Sequence, residues 1–124
     1  MIDITTLKGK VKDLVESVTQ LPAFYDMVPL GKTSGVFLSK GSTSFTGRTI
    51  DGNAHVATHE FTAVIFTFEG AQTCDDLTTA FVNATDGKAS GDFRLIMVIE
   101  IIPLEYDPDI GFWGNAVSIE FAER

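Results

Sequence analysis

The stretch Phe61-Thr62-Ala63-Val64-Ile65-Phe66-Thr67-Phe68 decides the fold. Eight residues without a charge, rich in aromatic and β-branched side chains, suit a long strand with at least one buried face. Gly70 ends the strand, and a helix is expected over 71–85. There Leu77, Phe81 and Ala84 supply an apolar stripe with Cys74 and Ala80 beside it. Thr73 is its expected cap, with Asp75 and Asp76 in the first turn, where the helix dipole favours acid. Upstream, Phe45 to Ile50 reads as one arm and His55 to Phe68 as the next. Asp51-Gly52 between them is a strong two-residue hairpin signal, and Asn53 extends the polar turn.

The flanks complete the pattern. Ile4, Leu7, Val11, Leu14, Val15, Val18 and Leu21 recur at steps of three and four, which predicts an amphipathic helix over 4–21, capped by Asp3 or Thr5 and stopped by Pro22. Ala23 to Val28 and Val36 to Leu38 read as short extended pieces bounded by Pro29, Gly31, Gly35 and Gly41. Phe93 to Ile102 is nearly continuous hydrophobe, which reads as a central strand buried on both faces and ended by Pro103. A loop carrying Phe112 and Trp113 follows, and Val117, Ile119 and Phe121 alternate with polar residues in a last strand. Helix, strands, helix, strands predicts an α+β fold: a mainly antiparallel β-sheet with two helices packed on one face, plus a long β-hairpin arm.

A chain of 124 residues fits one domain over 1–124, with no repeat or linker. Nine Lys+Arg against 17 Asp+Glu give a net charge of −8. That argues against gripping nucleic acid through its phosphates and against an anionic membrane surface, though not against DNA sliding past. The apolar run from Leu95 to Ile99 is far shorter than the ~20 residues of a membrane helix. No signal-peptide pattern opens the chain, and the one cysteine, Cys74, has no internal disulfide partner. The expected location is the cytoplasm, or a particle assembled there.

Chemistry-bearing patterns are weak. His55 and His59 have a metal-like spacing only on a helix; in a strand four residues span ~13 Å, so they read as polar edge-strand residues. Gly31-Lys32-Thr33 imitates the end of a phosphate-binding loop, but Asp26 stands where the first glycine belongs. Glu105, Asp107 and Asp109 lack the remaining oxygens and spacing of a calcium loop. Cys74 reads as a core or half-buried thiol. No catalytic residue, metal ligand or cofactor site is expected, and no enzyme.

What remains is surface. Phe112-Trp113 on a glycine-flanked loop either anchors an interface or folds back over the open end of the sheet. The arm from Phe45 to Phe61 has little of its own to bury, and makes sense if it reaches a neighbouring subunit; the alternative is an ordinary edge hairpin. The candidate subunit or partner interface is therefore Phe45, Arg48, Ile50, His55, Phe112 and Trp113.

The whole order of elements resembles the tail-terminator (tail-completion, or minor capsid) proteins of long-tailed bacteriophages. The likeness rests on the opening helix, Leu21-Pro22 before an aromatic strand and Pro29, and the glycine-marked strand at 35–41. It continues through Asp51-Gly52, the Phe61–Phe68 strand, the helix from Thr73, the strand ending in Ile102-Pro103 and the Asp-Pro-Asp-Ile-Gly loop. The resemblance implies a structural virion protein that forms a homohexameric ring on the tail tube, ends its growth and docks the head connector. Its implied partners are further copies of itself, the tail-tube protein and a head-completion protein, at the head–tail junction. DNA would only pass through the lumen, with no membrane involved. A head–tail joining or tail-tube component, and a small non-phage binding or adaptor domain, stay open beside it.

Overall fold

Leu7, Val11 and Val15 are buried along one side of α1 (Ile4–Thr19), where the three-and-four spacing predicts. The Asp3 carboxylate accepts from the Thr6 N–H at 3.2 Å, so the expected cap forms. The helix ends at Thr19 because Gln20 turns left-handed, with φ 59°. The computed structural model describes residues 2–26, 34–46, 56–106 and 108–124. The remaining elements are β1 (Ala23–Phe24), β2 (Ser34–Thr46), β3 (Val56–Thr67), α2 (Ala71–Thr85), β4 (Lys88–Ser90), β5 (Phe93–Pro103) and β6 (Trp113–Glu123).

The sheet has the order β1-β2-β3-β6-β5-β4 and is antiparallel except for β1 on β2. Two helices over a six-stranded, mostly antiparallel sheet make this an α+β fold, as the sequence predicts. Register sets the faces. Ala63 pairs with Leu38 on one side and Val117 on the other, and all three are buried toward the helices with Ile65, Phe61 and Ile119. Phe121 sits among Phe61, edge-on at 5.5 Å, and Phe93 at 5.0 Å. The core lies wholly between that face and α1 with α2. The Tyr25 hydroxyl donates to the Lys8 carbonyl at 2.7 Å and ties β1 to α1; burial pushes this phenol well above its ordinary pKa.

Several local expectations are corrected. The piece at 36–38 and the described start of the arm, Phe45 and Thr46, belong to one strand, β2, which absorbs Gly41 and Ser42 in a register shift between Lys40 and Thr43; the rest of the predicted piece, 47–50, lies outside the described residues. The predicted strand at 23–28 is only Ala23–Phe24 within the described residues. Helix α2 starts at Ala71, capped by Gly70 without a side-chain bond, so Thr73 is not its cap and Asp75 and Asp76 lie beyond the first turn. Its buried side is Cys74, Thr78, Phe81 and Thr85, with Ala80 and Ala84 outside. Thr78 and Thr85 donate to the carbonyls of Cys74 and Phe81, both at 2.8 Å, and this local satisfaction lets two hydroxyls face the core.

The largest correction concerns β5. It is not a central strand buried on both faces but the neighbour of the short edge strand β4, and from Ile99 to Pro103 it is exposed. A nearly continuous apolar run marks burial of some kind, but does not say whether the chain itself supplies the cover. The Asp51-Gly52 turn lies outside the described residues.

Phe121 joins both aromatic contacts of the core. We predict that Phe121→Ala lowers the unfolding free energy by about 3–5 kcal/mol, read from the urea midpoint at unchanged slope.

Candidate assembly surface

Both helices pack on one face, and among the described residues no helix covers the other, which the register divides into two ends. At one end Phe37 lies opposite Val64, and Phe66 lies between Gly35 and Gly114. At the other end Glu60 faces Glu120 across the β3–β6 pair, with Met97 beyond. Two carboxylates directly opposite repel, which makes this end acidic as well as polar.

The apolar end is built around glycines. A Cβ on Gly35 would stand 2.9 Å from Phe66 Cζ, and one on Gly114 would stand 3.3 Å from Phe112 Cε2. The first absence lets the Phe66 ring lie down on the sheet, and the second leaves room for Phe112. Phe68 and Phe112 then close over it, with the three centroids 6.2–6.3 Å apart in edge-to-face pairs. Gly111, at φ 84°, reverses the chain so that Phe112 reaches back. Phe37, Val64, Phe66, Phe68, Ile110 and Phe112 line an open groove of about 330 Å³, apolar throughout.

Phe112 is thus folded onto the sheet's open face and remains half-buried. Trp113 begins β6 on the opposite face and stacks on Tyr106 at 4.4 Å. Phe45 lies opposite Ala57 near the end of β2 and is exposed. Arg48, Ile50 and His55 lie outside the described residues. The structure therefore parts the predicted residues: Phe112 belongs to the aromatic groove, Trp113 to the helix side, and Phe45 to the far end of the hairpin.

What the sequence reading missed is the neighbouring patch. Of ten exposed large apolar side chains among the described residues, seven fall between Met97 and Ile110: Met97, Ile99, Ile101, Ile102, Leu104, Tyr106 and Ile110. They lie on β5 and the segment after it, continuous with the groove through Ile110. The legible signal was Glu100, a charge inside a run otherwise assigned to the core.

His59 was expected at a polar edge and is instead fully buried in an inner strand. Its Nε2 is 2.5 Å from Glu123 Oε2 and its Nδ1 2.8 Å from Thr43 Oγ1. A carboxylate only accepts, so Nε2 carries the hydrogen, and in the neutral ring Nδ1 accepts from the Thr43 hydroxyl. The other Glu123 oxygen accepts from the Ile2 N–H at 2.8 Å. The row Thr43–His59–Glu123 has the residue types of a hydrolytic triad, yet the imidazole is sealed from solvent and no substrate atom can reach it. It ties the distal half of the hairpin and the chain's first described residues to the last strand. Among the described residues no cluster of His, Cys, Asp or Glu could hold a metal, and no helix is long and apolar enough to cross a membrane. Cys74 is buried, its thiol near the Ile65 carbonyl and the Asn115 amide. Burial first, and the Asp75 charge second, raise its pKa, against a weaker pull from Thr78.

Two outcomes follow from these contacts. Glu123→Ala strips acceptors from both the His59 ring and the Ile2 N–H, and should cost about 1–3 kcal/mol in urea unfolding. Cys74 should react with iodoacetamide on the order of a hundredfold more slowly in the native chain than in urea, since a buried thiol with a raised pKa reacts only on opening.

No protein-family model matches the chain, and no curated protein sequence matches it significantly. Among solved structures it is similar to a chain of the virion of a native gene transfer agent (GTA) particle, with TM-score 0.57 and 15% identity, covering 95% of this chain and 90% of that one. At that identity the likeness is one of fold.

Proposed function

We propose that this chain is a structural virion protein of a phage-like particle: a tail terminator that forms a ring on the end of the tail tube, ends its polymerisation and presents the docking surface for the head connector. The observation that carries the reading is the fold shared with a virion chain of the GTA particle over nearly the full length of both. The physics of the surface supports it. Among the described residues the helices leave one sheet face open, and seven exposed apolar side chains lie on both sides of β5 and the segment after it, more than a lone soluble domain ordinarily shows. A ring needs two different patches on each subunit, and the aromatic groove and the hairpin arm stand on different parts of the sheet. The net charge of −8, with Glu60 beside Glu120, suits a conduit, because like charge keeps a passing duplex from sticking.

In this reading the partners are further copies of the chain, six to a ring, the tail-tube protein and a head-completion protein, and the place is the head–tail junction. A head–tail joining or tail-tube component would share the same fold support and differ in behaviour, because it would extend or pair rings where a terminator caps them.

Light-scattering chromatography tests this, run alone and with the tail-tube protein of the same particle. A hexamer, or a monomer that binds only tube ends and halts their growth, is the expected result. Association should strengthen as ionic strength rises, since screening removes repulsion between acidic copies. A monomer or dimer indifferent to tubes overturns the reading, and continued addition along the tube marks a tube component instead.

A further inference from the structure

We infer that the outer edge of β5, from Ile99 to Pro103, is a strand-acceptor site, and that its occupant is the distal half of β2 from a second copy of this chain. The inference deepens the assembly reading above by naming the contact through which copies would join.

Three observations carry it. First, β4 pairs with β5 only at Ile96 and Phe93, so beyond Val98 the outer side of β5 has no strand partner among the described residues. Second, apolar side chains leave that edge on both faces. Ile101 pairs with Val117 on the helix side, and Ile102 pairs with Ala116 on the open side; each is 45% exposed. A partner lying on one face would cover only one of these rows. An extended strand along the edge covers both, and also satisfies the backbone groups.

Third, the chain carries a complementary edge. β1 covers β2 only at Val36 and Phe37, so from Leu38 to Ser44 the outer side of β2 has no strand partner among the described residues. This edge lies on the opposite side of the sheet from β5. Within the sheet β2 runs antiparallel to β5, and the registers level Ile101 with Leu38, so a second copy in the same orientation, displaced along the strands by about four residues, ~13 Å, brings the distal half of β2 to the free part of β5 as an antiparallel pair, with its helices on the same side. The two strips are also the right ones by charge. Residues 34–46 hold one charged residue, Lys40, and residues 95–104 hold one, Glu100, of opposite sign. In a chain of net −8 these are surfaces across which two copies can meet without stacking acid on acid. A β5-to-β5 contact, by contrast, brings Glu100 toward its own copy. Because the β5-to-β2 contact uses two different edges, each copy offers one of each, and the contact is head-to-tail.

The test uses two edge variants of the full chain, Ile101→Glu with Ile102→Glu on β5 and Ser44→Glu on β2. All three positions are exposed, so folding is expected to survive and is checked by urea unfolding. In sedimentation velocity at raised ionic strength the wild type is expected to associate. Each variant alone should weaken association by about tenfold or more and shift toward the 13.4 kDa monomer. Mixed together, the two variants should form one-to-one dimers and nothing larger, since the mixture holds only one live β2 edge and one live β5 edge per pair. Association unchanged in either variant, or no recovery on mixing, overturns edge pairing while leaving a ring through another surface intact. A β2 variant that still dimerises while the β5 variant does not overturns it in favour of a β5-to-β5 contact. A wild type that stays monomeric alone and with tail-tube protein overturns both this inference and the assembly reading.

Discussion

The antiparallel register of β3 with β6, held from Thr58 opposite Ala122 to Thr67 opposite Trp113, is the constraint on which the rest of the molecule depends. It aligns His59, Phe61, Ala63 and Ile65 with Phe121, Ile119, Val117 and Asn115 on one side, and the helices can pack only there. A slip of one residue would turn that row to solvent and drive Glu60 and Glu120 into the core. The same register fixes what is left outside. Phe66 is forced onto the uncovered face between two glycines, and the aromatic groove assembles around it. Core and candidate surface are two consequences of one pairing.

How much of this was legible follows from the kind of signal each part leaves. The amphipathic helix, the Phe61–Phe68 strand and the α+β order left periodic signals several residues long, and the structure has them. Local chemistry overrode pattern in α2, where threonines bonded to their own helix replaced alanines on the buried side. His59 could not be read at all. Its burial depends on Glu123 and Thr43, which come together only when β2, β3 and β6 are in register. Of the six predicted interface residues, Phe112 falls in the aromatic groove, and Trp113 turns to the other face because the strand starts one residue after Phe112.

The misreading of β5 has a more general cause. Hydrophobicity in a sequence reports that water must be kept away from a segment, and says nothing about which molecule does it. In a self-contained domain the two questions have one answer. Here they separate at Ile99, where a register shift lies between Val98 and Glu100 and the cover from β4 has already ended. Before that point the strand contributes Phe93 and Ile96 to the core; after it the same kind of side chain faces outward.

An apolar edge of this sort invites indiscriminate strand addition, and the features along it limit that danger. The irregularity at Ile99 twists the strand and breaks the register for a long flat partner. Glu100 places one carboxylate in the middle of the strip, which disfavours stacking on an identical edge. Pro103 removes a backbone donor where the strip ends, so pairing cannot run on into the following segment. Together they leave a short window in which only a strand of matching length and charge gains both backbone bonds and apolar contact. The net charge of −8 acts in the same direction over longer range, because like charge opposes the approach of other acidic surfaces. Selectivity in such a surface comes from what it refuses, and the residues that interrupt the hydrophobic run do as much to define its partner as those that compose it.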